Sequence, residues 1–291
     1  MGAGRFGLSS PAEASQSSVS DLTRLQELHE RANCLCDQGQ YPQSRVAFEE
    51  ALELAEQMFG SDSSALLPLL NNRAVLGKYS GDFDVAQACY ERALNLAERD
   101  LGPAHPEIAS LYHNLGGLAH ARGDFERGEP LARRAVEIRE QALGPDHPHV
   151  LADLVAWAGL LDGLKRFEES EPIYRRALAI YEALADEPEI AATLHNLATV
   201  CAARGDLDEA LTHYRRSLRL KEQQLGESHP DVALTLNNLG LLRKRQGDFD
   251  EAAQLYQRAL RIFEQTLPAD HPRLLTCRAN VEKLERAVCR K

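Results

Sequence analysis

Leu101-Gly102-Pro103-Ala104-His105-Pro106 is the stretch that decides the fold, because it comes back. It recurs as Leu143-Gly144-Pro145-Asp146-His147-Pro148, as Leu225-Gly226-Glu227-Ser228-His229-Pro230, and in altered form as Leu267-Pro268-Ala269-Asp270-His271-Pro272. Gly102 and Gly144 are 42 residues apart, as are Gly81 and Gly123, and Gly205 and Gly247. A fixed period of this size marks stacked supersecondary units, each burying its apolar face only against its neighbours. The 291 residues therefore read as one array rather than as separate globular domains.

Between the recurring phrases the pattern is helical. Each unit pairs a helix A with a helix B across a turn: Gly39-Gln40-Tyr41-Pro42, Gly81-Asp82-Phe83, Gly123-Asp124-Phe125, Lys165-Arg166-Phe167, Gly205-Asp206-Leu207 and Gly247-Asp248-Phe249. Glycine closes helix A without a Cβ penalty, and the nearby Asp is expected to cap helix B. Pro106, Pro148 and Pro230 suit the opening turn of the next helix A, where a missing N–H costs little. Small residues recur in helix A (Ala32, Ala74, Gly116, Ala158, Ala198, Gly240) and large ones in helix B (Phe48, Tyr90, Tyr174, Tyr214, Tyr256), with Ala132 in repeat three. Large-into-small packing is thus specified along the chain.

Repeat four departs from the pattern. It has Lys165 for Gly, Ala156 for Asn, Trp157 for Leu, and Ala185-Asp186-Glu187-Pro188 at the joint; Asn114 and Asn196 are 82 residues apart, two short of two periods. After Pro272 one helix fits, with the stripe Cys277, Val281, Leu284, Val288 and with Glu282 at the site that is small elsewhere, as a terminal cap requires.

Composition narrows the function. A net charge of -11 opposes general binding to nucleic-acid phosphates or anionic lipid, and no apolar run approaches a membrane span. The six cysteines form no CxxC pair and no zinc or disulfide framework, which points to a reduced, cytoplasmic, soluble chain. Residues 1–20 read as a disordered leader rich in Gly, Ser and Ala. No GxSxG, P-loop or HExxH occurs, so no catalytic site, cofactor or metal is expected. The histidines of the His-Pro joints read as loop or capping residues.

The motif Asn237-Asn238-Leu239-Gly240, Gly247-Asp248-Phe249-Asp250-Glu251-Ala252, Tyr256, Ala259-Leu260 resembles the tetratricopeptide repeat, and the 42-residue unit with its LGxxHP joint resembles the kinesin light chain type. The resemblance implies an all-α fold, a right-handed α-solenoid of six helix pairs plus a C-terminal capping helix. Its repeats fall at about 22–64, 65–106, 107–148, 149–188, 189–230 and 231–272, with the cap over 273–291. In that family this part of helix A lines a concave groove. The implied peptide-binding set is a ladder of Asn72, Asn114, Asn196, Asn238 and Asn280, flanked by Asn71, His113, His195 and Asn237. One turn further on the same face come Lys78, His120, Lys244, Lys283 and Arg286, with Asn33 and Thr199 nearer the ladder and only Asp37 and Asp162 as acids. An Asn amide both donates and accepts, which suits clamping an extended peptide backbone, and the cations suit an acidic one.

The expected function is a non-enzymatic protein–protein interaction scaffold, a monomer, binding an acidic peptide segment of a protein partner and neither nucleic acid nor membrane. Two alternatives stand beside it. One is a regulatory or assembly subunit that associates through its convex face or termini; the other is a kinesin light chain-like cargo adaptor, although that family's coiled coil has no counterpart before the first helix.

Overall fold

The computed structural model describes residues 16–269 and 271–288. Among them are thirteen α-helices and no strand: α1 (Gln16–Asp37), α2 (Tyr41–Phe59), α3 (Leu67–Ser80), α4 (Phe83–Leu101), α5 (Pro106–Arg122), α6 (Phe125–Leu143), α7 (Pro148–Gly163), α8 (Phe167–Leu184), α9 (Glu187–Arg204), α10 (Leu207–Leu225), α11 (Pro230–Gln246), α12 (Phe249–Thr266) and α13 (Pro272–Val288). A 3-10 turn, Ser64–Leu66, precedes α3. The helices form the expected α-solenoid pairs, A then B, with α13 unpaired. They fall into two compact units, one to Leu160 and one from Leu161. Residues 1–15 of the expected leader lie outside the described residues, and α1 begins at Gln16, ahead of Asp21, because nothing between these positions breaks a helix.

In the first unit, the small helix A residues Ala32 and Ala74 and the helix B residues Phe48 and Tyr90 have at most 1% of their surface exposed. Gly116 faces Ala132, so a Cβ there would lie 3.2 Å from the Ala132 methyl. In the second unit, a Cβ on Gly240 would lie 2.8 Å from the Tyr256 ring, which shows why the large-small alternation is obligatory there. Leu284 and Val281 of α13 pack on Ala252 and Tyr256. Glu282 stays exposed, as a capping helix requires. The side chain of Val288 lies outside the described residues.

The joints obey backbone geometry. His105, His147, His229 and His271 each accept a hydrogen bond at Nδ1 from the N–H two residues on, at 3.1–3.3 Å, so all four are helix N-caps. The Asp residues that precede the B helices behave differently. Asp248 accepts from the Glu251 N–H at 3.2 Å, whereas Asp82, Asp124 and Asp206 make no side-chain cap. This corrects the expectation. With ψ near 65° rather than in the extended region of the His caps (138° at His105), their carboxylates miss the helix N–H groups, while their backbone carbonyls, like that of Asp248, accept the first helical bonds.

Gly102 has φ 81° and ψ 155°, a region essentially closed to residues with a Cβ. Repeat four must solve the same joint with Ala185, which takes the left-handed helical region instead (φ 54°, ψ 35°) and lets α9 start at Glu187, sooner after the turn than α5 starts after Gly102. That substitution accounts for the shortened repeat. Lys165 likewise sits at φ 59° where the five other repeats have glycine. A left-handed lysine costs about 1–2 kcal/mol, partly offset by its lower unfolded-state entropy relative to glycine. Lys165→Gly is therefore expected to stabilise the chain by about 0.5–1 kcal/mol, read as a higher urea midpoint; an unchanged or lower midpoint would mean that lysine pays no conformational cost there.

Candidate functional site

Within each unit, expected ladder residues on successive A helices bond to their flanking neighbours. Asn114 Nδ2 donates to Asn71 Oδ1 at 2.8 Å. Asn280 Nδ2 donates to Asn237 Oδ1 at 3.0 Å. Asn72 Nδ2 lies 2.8 Å from His29 Nε2 and donates to Asn33 Oδ1 at 3.1 Å, and Asn238 Nδ2 lies 3.2 Å from His195 Nε2. Apart from the bond to Asn33, which is 39 positions back, each joins an Asn to the flanking residue one repeat earlier, 43 positions back. Within repeats, Asn71 donates to Asn72 and Asn237 to Asn238. The amides thus spend part of their bonding capacity in holding helix A to helix A, and every one of them remains at least partly accessible except Asn237, which is 8% exposed.

Where repeat four breaks the pattern, the bonds break with it. His113 would meet an amide at position 156, but that residue is Ala156. Its Nδ1 instead lies 2.8 Å from Asp153 Oδ1, close but poorly aligned for a hydrogen bond. Asp153 is 2% exposed and also receives Arg139 Nε at 2.5 Å, while Arg139 Nη2 donates to Ser110. In the sequence register the flanking residue one repeat before Asn196 is Val155, which has no side-chain acceptor. Among the described residues Asn196 makes no side-chain hydrogen bond, and it is half-buried.

The flanking polar residues are held to different degrees. Lys78 is half-buried, leaning over Gly117 so that a Cβ there would lie 3.1 Å from its Nζ, and burial lowers its pKa. His120 meets the edge of Phe125 at 5.5 Å. Lys244 is half-buried in the last turn of α11, and Lys283 and Arg286 are exposed on α13, where Arg286 donates to Glu282. Thr199 Oγ1 lies 2.8 Å from the Tyr214 hydroxyl and donates to the His195 carbonyl. Of the two acids on this face, Asp162 is engaged by Ser170 at 2.5 Å and Tyr174 at 2.8 Å.

His195 is the most perturbed group of the set. Its Nδ1 is 3.1 Å from Thr235 Oγ1, which also receives Lys221 Nζ at 3.1 Å. Burial first, then the positive charges of Lys221 and Arg273, push its pKa down to about 3, so the ring is neutral and can accept from Asn238. His29 was missed in the sequence although the signal was there: it stands 42 residues before Asn71.

Two cavities accompany these residues. One of about 200 Å³ in the second unit is lined by Thr199, Tyr214, Asn238, Leu241, Leu242 and Arg245, and so opens beside the ladder. The larger, about 430 Å³ in the first unit, lies among α4, α5 and α6 with Leu94, Tyr112, Leu118 and Leu131 in its walls. None of the predicted residues lines it. Its arginines are already paired, Arg122 with Asp84 and Arg127 with Glu91.

The comparisons with known proteins agree with this architecture. The tetratricopeptide repeat profile matches residues 25–99, 66–141, 107–183 and 189–265. No curated protein matches the sequence. Among solved structures, BtubC (BKLC) from P. vanneervenii is similar at 24% identity and TM-score 0.61, over 85% of this chain and 94% of that one. Nearly identical TPR-like repeats of a kinesin light chain-like protein from Podosopora anserina are similar at 22% identity and TM-score 0.54, over 64% and 90%. Aspartyl phosphate phosphatase F from Bacillus subtilis shares the fold at 14% identity and TM-score 0.67, over 93% and 72%. With its matched profile over most of the sequence, its 42-residue period and its paired helices, the chain belongs to the tetratricopeptide repeat family.

Proposed function

We propose that the A-helix face carrying the Asn ladder binds an extended, acidic peptide segment of a protein partner. Tetratricopeptide arrays are typically interaction scaffolds, and a Rap protein of the same fold (14% identity, TM-score 0.61) is known in complex with Competence and Sporulation Factor. The observation that carries the reading is Asn196: a half-buried amide with no side-chain bond among the described residues, set in a file of amides whose other members already bond across repeats. A peptide strand laid along the A helices would offer its carbonyls and N–H groups to that amide and to the unused bonding capacity of its neighbours. The adjoining cavity, with Leu241 45% exposed and Arg245 at its rim, would take one side chain. Lys244, Lys283 and Arg286 would favour negative charge on the ligand, against the acidic balance of the chain as a whole.

No helix among the described residues is long and apolar enough to cross a membrane. Ordering a flexible segment holds the expected affinity to the order of micromolar. Because Asn196 supports no neighbouring repeat, Asn196→Ala should leave the urea midpoint in place while weakening capture of an acidic peptide by about five- to tenfold, the worth of one hydrogen bond. Equal affinity in wild type and variant, with a peptide selected from an array, would remove Asn196 from the binding face.

A further inference from the structure

Cys201 in α9 and Glu209 and His213 in α10 place a thiol, a carboxylate and an imidazole within 4.8 Å of one another. Glu209 and His213 are four residues apart, so both project from one face of α10 towards the last turns of α9. The His213 Nε2–Glu209 Oε1 distance is 3.4 Å. That is about the edge of a tetrahedron built with zinc–nitrogen and zinc–oxygen bonds of ~2.1 Å. Cys201 is fully buried, the His213 side chain is 17% exposed and that of Glu209 41%, so the cluster is sheltered yet reachable from solvent.

The repeat supplies the comparison that gives this cluster meaning. In repeat six the residue equivalent to Glu209 is Glu251, and it receives two cations: Arg215 of the preceding repeat at 3.1 Å and Arg243 of its own helix A at 2.7 Å. In repeat five Glu209 receives the equivalent of the first, Arg175, at 2.8 Å. The position equivalent to Arg243 is Cys201, and His213 stands where repeats three and six have Leu131 and Leu255. Repeat five has therefore replaced a guanidinium and an apolar residue by two metal-ligating groups around a carboxylate that has one cation fewer.

We propose that Cys201, Glu209 and His213 form a site for one divalent transition-metal ion of the zinc type, with the ion supplying the charge that Arg243 supplies in repeat six. A thiolate, an imidazole and a carboxylate are a borderline-soft set that suits zinc over magnesium or calcium. The Cys201 thiol proton leaves to solvent as the sulfur–metal bond forms, and the charges of thiolate and carboxylate balance that of the ion. Arg175 also donates to Glu171, at 2.7 and 2.9 Å, so it stays anchored and can orient Glu209 from behind. Three protein ligands leave a fourth position for water or for a donor atom from a partner. Sequence spacing concealed the site, because its cysteine lies across a helix turn from the other two ligands and pairs with no second cysteine. The inference is independent of the peptide-binding face.

The test uses the full chain, kept reduced, stripped with a chelator and titrated with cobalt(II). One equivalent should produce a thiolate-to-cobalt charge-transfer band in the near ultraviolet and the visible bands of a tetrahedral ion, and zinc should abolish both. Cys201→Ala, which copies Ala119 of repeat three, should lose the charge-transfer band with unchanged helicity, and His213→Leu should weaken cobalt binding by about tenfold or more. The Cys34→Ser/Cys36→Ser double variant should behave as wild type. No charge-transfer band at saturating cobalt, or a band that survives Cys201→Ala, would overturn the proposal.

Discussion

Asp153→Ala is expected to cost about 3–5 kcal/mol of stability, the range for removing one partner of a buried ion pair. Asp153 is 2% exposed and Arg139 9%, joined at 2.5 Å between α6 and α7. With the carboxylate gone, the guanidinium keeps only Ser110 at 3.2 Å, and its charge is left without a counter-ion in the core. The cost lies in the stranded charge rather than in the worth of the pair. At the equivalent joint between repeats two and three the same two places hold Ala97 and Leu111, both buried. The double variant Arg139→Ala/Asp153→Leu copies that joint and should recover most of the loss, in keeping with the near-neutral exchange of buried pairs for apolar ones. Urea denaturation of the three proteins measures the cycle. A double variant as unstable as Asp153→Ala alone would show that the pair contributes more than mutual compensation.

Acid should unfold the second unit through His195. The ring's pKa is about 3 in the fold, against 6.5 when free, because burial and the charges of Lys221 and Arg273 disfavour the imidazolium. Below pH 6.5 the unfolded chain binds a proton that the folded chain refuses, so stability is complete above that value and drains away as pH falls towards 3. The limiting slope is about 1.4 kcal/mol per pH unit. Relaxation around a ring that is not fully enclosed reduces this, and a loss of about 2 kcal/mol between pH 6.5 and 4.5 is expected from this residue. His195→Asn keeps an acceptor for Asn238, as Asn237 does for Asn280, and removes the titration. Its stability should fall less steeply over that interval, and a variant with the wild-type acid slope would assign the loss to other groups.

Most of the fold was legible because the 42-residue period repeats its own instructions. His-Pro joints and the large-small alternation could each be read in several copies, the single capping helix by its departure from them, and the described residues follow these patterns. What could not be read was geometry finer than the pattern. Asp82 and Asp248 occupy equivalent positions, yet only Asp248 caps through its side chain, because a difference of about 14° in ψ, from 65° to 79°, decides whether the carboxylate reaches an N–H. The ladder was visible as residues but not as a chain of mutual bonds, since an Asn column looks the same whether its amides face a ligand or each other. Repeat four interrupts the column in sequence, with Val155 and Ala156 in place of its amides, and Asn196 makes no side-chain hydrogen bond among the described residues. Asp153 escaped notice because a single acid between Ala152 and Leu154 carries no motif, and its burial depends on Arg139 reaching it from another helix.

The central claim concerns which face binds, and hydrogen exchange with and without a captured acidic peptide addresses it directly. Slowed exchange should fall on the A helices that carry the ladder, in the last turns of α5, α9 and α11 and near Thr199, and should weaken in Asn196→Ala and at raised salt as the charge contribution is screened. Protection confined to the B helices or to the ends of the chain, with the ladder helices unchanged, would contradict the account and favour association through the opposite surface.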